Sequence, residues 1–189
     1  QTFLAELAEH ARQPATEDIA ALKAIAAADG VVELQPWDST FYSEKLKVAQ
    51  FNLSQEALKP YFPAPKVLQG LFSIVKRLYG VDIIERQAPV WHTDARYFEL
   101  EDQGQVLGGF YFDLYARSGK RGGAWMSGFR SRMQTQQGLQ KPICYMVCNF
   151  TPPVGEQPAL LTHDEVITLF HEFGHGLHHM LTEVDNISV

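Results

Sequence analysis

Along the first 80 residues the apolar positions recur at helical spacing. Phe3, Leu4, Leu7 and Ala8 start one stripe, which Pro14 interrupts. Thr16 is placed to cap a second helix that runs to about Ala28 and stops at Asp29-Gly30. Asp38 is the cap candidate for a third helix over FYSEKLKVAQFN, and Ser54 opens a short helical piece, SQEALK. Pro63 and Pro65 keep YFPAPK extended. A longer helix then carries Val67, Leu68, Leu71, Phe72, Val75, Leu78 and Tyr79 on one face, with Gly80 at the position favoured for a left-handed cap.

After Gly80 the period changes. DARYFELE (94–101) and QVLGGFYFDLYA (105–116) are aromatic-rich and partly alternating, with a turn at Asp102-Gln103-Gly104, which predicts a β-hairpin. ICYMVCNF (143–150) reads as a third strand. Between them lies the glycine-rich SGKRGGAWMSG, which does not follow the phosphate-loop pattern. It is expected to be a mobile loop, or alternatively the border of a substrate cleft. TPPVGEQPAL connects to the last element.

That element is THDEVITLFHEFGHGLHHML. Thr162 and Glu165 have the form of a capping box, and Asp164 and Glu165 place negative charge at the positive end of the helix dipole. Val166, Leu169, Phe170, Phe173, Leu177, Met180 and Leu181 form one apolar stripe at a period of 3.6. His171, His175 and His178 fall on the opposite side, and Glu172 between the two. Gly174 and Gly176 each cost about 1 kcal/mol against alanine in a helix interior, which predicts a close approach by another part of the structure or by substrate.

On this helix His171-Glu172-Phe173-Gly174-His175 is an H-E-x-x-H pattern. Two histidines at i and i+4 stand one above the other and can share one metal ion, zinc by preference. The intervening glutamate can act as general base toward a water activated there. A catalytic zinc site has three protein ligands, and this sequence supplies two plain ones. His178 lies about 10.5 Å along the axis from His171, at 1.5 Å per residue, so it is a donor behind the ligands, a substrate-cleft residue or a surface histidine. His179 points elsewhere. Glu183 or Asp185 would need the helix to end and fold back. The expectation is a third ligand beyond Val189.

Composition narrows the picture. The 189 residues are 46% hydrophobic with a formal net charge of −6 and no basic run, so neither nucleic acid nor an anionic membrane surface is an expected partner. No stretch approaches the roughly 20 apolar residues of a membrane span. The N-terminus has neither an initiator Met nor a signal-peptide pattern and starts within a helical pattern, as an internal piece of a longer chain would. Cys144 and Cys148 sit about 13 Å apart on a strand, too far for one metal or a disulfide, and are expected to be buried free thiols. A reducing cytoplasm is compatible with them.

The fold class expected is mainly α with a small antiparallel β-sheet (α+β). Residues 1–189 form one incomplete catalytic domain of zincin type: a helical part over 1–80, hairpin and third strand over 90–150, and the metal-binding helix over 162–182. Several segments, in order, resemble the thimet oligopeptidase family of zinc metallopeptidases: WDSTFYSEKLK, GLFSIVKRLYG, GGFYFDLYARSGKRGGAWM, KPICYMVCNFTPPVGEQPALLTHDE and HDEVITLFHEFGHGLHHML. The resemblance implies a cytoplasmic enzyme that cuts short peptides in a channel between two largely helical halves. It implies one Zn2+ per complete site, with His171 and His175 as ligands and Glu172 as the catalytic carboxylate. It also implies a third ligand, a Glu on a following helix, in a C-terminal part that this sequence lacks. The competing reading is a non-enzymatic peptide-binding or structural fragment whose His pair is empty or holds an adventitious metal; a dimer that supplies the ligand from another chain is a third. Endopeptidase versus dipeptidyl carboxypeptidase action stays open.

Overall fold

The computed structural model describes residues 2–52 and 54–186. The chain divides into two compact units, residues 1–57 and 58–189.

In the first unit α1 (Thr2–Ala28) is a single helix with Pro14 inside it, where the sequence predicts a break. Proline removes one backbone bond, and exposed side-chain contacts flank it. The Arg12 side chain donates to Glu9 and that of Gln13 to Glu17, each at 2.8 Å. Thr16, expected to cap, instead donates its hydroxyl to the Arg12 carbonyl at 2.8 Å. α2 (Ser39–Phe51) follows. Asp38 does not cap it; its carboxylate accepts from the Gln35 amide at 3.0 Å. Ala26 and Tyr42 are buried, and Lys45 pairs with Asp29. A short helical turn, α3 (Gln55–Leu58), opens at Ser54, whose hydroxyl accepts from the Ala57 amide.

In the second unit α4 (Ala64–Tyr79) ends at Gly80 in the left-handed conformation, as the pattern predicts, and begins at Ala64, earlier than the pattern predicts. The extended stretch is shorter than expected, because Pro65 sits in the first turn, where a missing N–H costs nothing. β1 (Asp82–Arg86), β2 (Arg96–Asp102), β3 (Gln105–Tyr115), β4 (Trp125–Arg130) and β7 (Ile143–Phe150) form a sheet in the order β1-β2-β3-β7-β4. A separate hairpin joins β5 (Met133–Thr135) to β6 (Gly138–Gln140). The β2–β3 hairpin turns at Gln103 and Gly104, both with positive φ.

The α+β class holds, with one departure in the sheet. β3 and β7 run parallel; the other pairings are antiparallel. The chain leaves β3, lays β4 one position further out, and returns to insert β7 between the two. A strand antiparallel to β4 in that slot must run parallel to β3. The third strand read from the sequence is therefore internal. Within this sheet the two edges are β1 and β4, and β4 occupies part of the stretch expected to be a mobile loop.

One face of the sheet carries the core. Phe98, Leu100, Phe110, Phe112, Leu114, Cys144, Met146, Cys148 and Phe150 cluster with Val67, Leu68, Leu71 and Val75 of α4. The last helix, α5 (His163–Met180), joins them through Leu169, Phe173 and Met180. Burying each large side chain here contributes about 1.5–3 kcal/mol. The thiols of Cys144 and Cys148 are free, fully buried, and pushed up to about 12 by that burial. No described helix is long and apolar enough to cross a membrane.

Candidate active site

α5 starts with the reciprocal cap its sequence predicts. The Thr162 hydroxyl accepts from the Glu165 amide at 3.1 Å, and the Glu165 carboxylate accepts from the Thr162 amide at 2.8 Å. Leu169, Phe173 and Met180 turn into the core, whereas His171, His175 and His178 are exposed. Phe173 is the largest of these anchors, edge-on to Phe110 at 5.4 Å and tilted against Phe112 at 5.9 Å. Gly176 lets the helix close on β7: a Cβ there would lie 2.9 Å from the Met146 sulfur and 3.5 Å from that of Cys144.

The two histidines converge. Their Nε2 atoms are 3.2 Å apart and their rings nearly perpendicular, at 85°. Two imidazole nitrogens bound at about 2.0–2.1 Å to a tetrahedral zinc ion stand about 3.3 Å apart. The pair is thus set at the spacing a shared ion needs, and the residues fit the group. The same distance accommodates one N–H···N hydrogen bond between the two rings. Glu172 lies between the two faces and is only 9% exposed. It is near enough to Cys148 for its charge to add to the rise that burial causes in that thiol.

The remaining histidines separate. His179 anchors α5 to β4: its Nε2 is 3.0 Å from the Arg130 carbonyl, and its ring packs on Gly128. His175 and His178 line a cleft of about 310 Å³ with Met126, Ser131, Arg132, His179 and Thr182. Asp185 does not turn to the His pair. Its carboxylate accepts from Arg132 at 2.6 Å, and its carbonyl accepts from the Gln134 amide. Glu183 is exposed. Among the described residues no third His, Cys, Asp or Glu joins His171 and His175 in a metal-binding group.

A second polar cluster lies on the opposite face of the sheet, and spacing along the chain does not flag it. The Asp113 carboxylate is buried and accepts from Arg117 (2.6 and 2.8 Å), Lys120 (2.9 Å) and the Trp91 indole (2.9 Å). Burial alone would raise this carboxyl, but the three donors outweigh it and hold it well below the usual carboxylate range.

Comparison with known proteins places these features. Peptidase family M3 matches residues 1–189. The chain is similar to oligopeptidase A of Escherichia coli K12, at 54% identity over 99% of this chain and 28% of that protein. It is also similar to the organellar oligopeptidase A of Arabidopsis thaliana, at 46% identity over 96% of this chain and 25% of that protein. Dipeptidyl carboxypeptidase of E. coli is 42% identical over 93% of this chain and 26% of its own length. The chain therefore spans little more than a quarter of the length of these relatives. Matched from end to end, and carrying His171, Glu172 and His175 on a capped helix, it belongs to peptidase family M3.

Proposed function

We propose that these residues are a section of a zinc-dependent oligopeptidase that hydrolyses internal bonds of short peptides in the cytoplasm. The observation that carries this reading is the 3.2 Å convergence of the His171 and His175 Nε2 atoms beside a mostly buried glutamate. When bound, zinc supplies Lewis-acid polarisation of the scissile carbonyl and lowers the pKa of water. His171 and His175 would hold the ion through the Nε2 atoms that converge here. Glu172 takes a proton from the attacking water and returns it to the leaving amine. The free edge of β4, next to the cleft that His175 and His178 line, aligns an extended peptide by strand addition. His178 is a cleft residue in this scheme rather than a ligand.

The third ligand comes from polypeptide outside these 189 residues, and on the family resemblance it is a Glu on a following helix. Both compact units then belong to one incomplete catalytic domain. The 189-residue chain alone is expected to bind zinc weakly and to cleave peptides little or not at all; robust chelator-sensitive cleavage by it would overturn that expectation. In the full-length enzyme His171→Ala and His175→Ala should each lose zinc and turnover together. Chelator-sensitive cleavage persisting in either variant contradicts the assignment.

A further inference from the structure

The linker between β3 and β4, residues 116–124, contains Gly119, Gly122 and Gly123, a composition that by itself favours mobility. It is nevertheless bolted at both ends. Lys120, with 5% of its side chain exposed, reaches back to β3. Its ammonium donates to the Asp113 carboxylate (2.9 Å), the Asp113 carbonyl (2.9 Å) and the Tyr115 carbonyl (2.7 Å). An ammonium has three donors, so all are used. Arg117 closes on the same carboxylate from within the linker. The second half is held from β7: the Asn149 amide donates to the Arg121 and Gly123 carbonyls at 2.8 and 2.7 Å. β4 starts directly afterwards, at Trp125. It pairs with β7 on one side only, and α5 rests on it through His179.

Burying a carboxylate and an ammonium is costly, and an apolar pair of similar volume commonly serves stability as well or better. What this pair adds is a fixed path for a glycine-rich linker. We propose that Asp113, Lys120 and Asn149 are positioning residues for peptide binding. They fix linker 116–124 and so set the open edge of β4 against which an extended peptide aligns. The proposal rests on the peptidase reading above and assigns these residues no contact with the reacting atoms.

The test uses the zinc-loaded full-length enzyme. Lys120→Met removes the clamp while leaving Asp113 its Arg117 and Trp91 partners. It should raise KM for an extended peptide about tenfold, equivalent to about 1.4 kcal/mol, with kcat within about threefold and zinc content unchanged. Amide exchange over residues 116–124 should quicken. Asn149→Ala breaks only the two exposed bonds and should shift KM in the same direction by about threefold; it decides the matter alone if Lys120→Met does not fold. Peptide affinity is also read as Kd of a fluorescent extended peptide in a Glu172→Gln background, independently of chemistry. If the unmodified full-length enzyme does not hydrolyse the peptide, the peptidase reading fails, while the Kd still judges the clamp. Faster exchange in the linker with unchanged KM and Kd would make the cluster purely structural and overturn the proposal.

Discussion

Replacing Phe173 by alanine removes the main anchor of the helix that carries the His pair. Phe173 is 1% exposed, and its ring meets Phe110 edge-on at 5.4 Å and Phe112 at 5.9 Å. Loss of a buried phenylalanine costs about 3–5 kcal/mol, part from transfer and part from the cavity left behind. The upper half of that range applies here. Phe110 and Phe112 are held by β3, and Leu169 and Met180 by the same helix, so little can collapse into the space. Phe173→Leu keeps most of the volume and should cost less than about 1.5 kcal/mol. The two variants should therefore differ by at least about 2.5 kcal/mol in urea denaturation of the full-length enzyme, read as a shift in midpoint at constant slope. The alanine variant should also retain zinc less well, because His171 and His175 flank the lost anchor. An alanine cost below about 1 kcal/mol, or equal costs for alanine and leucine, would refute the packing of α5 on β3 described here.

Two further outcomes follow from the same interface. Gly176→Val should destabilise the enzyme by about 1–3 kcal/mol despite valine's better helix propensity, since even its Cβ would lie 2.9 Å from the Met146 sulfur; thermal unfolding measures this, and a stabilised variant would contradict the close approach. Cys144 and Cys148, fully buried and with thiols pushed up to about 12, should resist alkylation at neutral pH until denaturant is added; peptide mapping by mass spectrometry reports the label, and rapid modification of the native enzyme would refute their burial.

The elements most legible in the sequence were those whose signals are local. α5 declares its start through Thr162 and Glu165, its buried face through the stripe from Val166 to Leu181, and its His face through spacing. α4 declares its end through Gly80. Elements that depend on distant partners were less visible. β1 is short and charged, and its pairing with β2 is a matter of tertiary register rather than alternation. β4 lies mostly exposed on a sheet edge within a glycine-rich stretch, so neither burial nor composition marks it. Pro14 predicts a break from the sequence, yet α1 continues through it. At the site, His171, Glu172 and His175 were readable because one helix holds all three. The Asp113 cluster was not: its donors come from Trp91, Arg117 and Lys120, brought together by the linker's return onto β3. The third ligand proposed from outside the chain would leave only a deficit in the coordination count.

Glu172 is proposed to move the proton in a metal-dependent peptide hydrolysis. Its most direct test is Glu172→Gln in the full-length enzyme, with turnover, bound zinc and peptide Kd measured on one preparation. The change keeps the side chain's size beside His171 and His175 and removes its basicity. In that variant kcat should fall by about 10²–10⁴-fold, with zinc content and peptide affinity close to those of the unmodified enzyme. Turnover within tenfold of the unmodified enzyme, with zinc still bound, would contradict it.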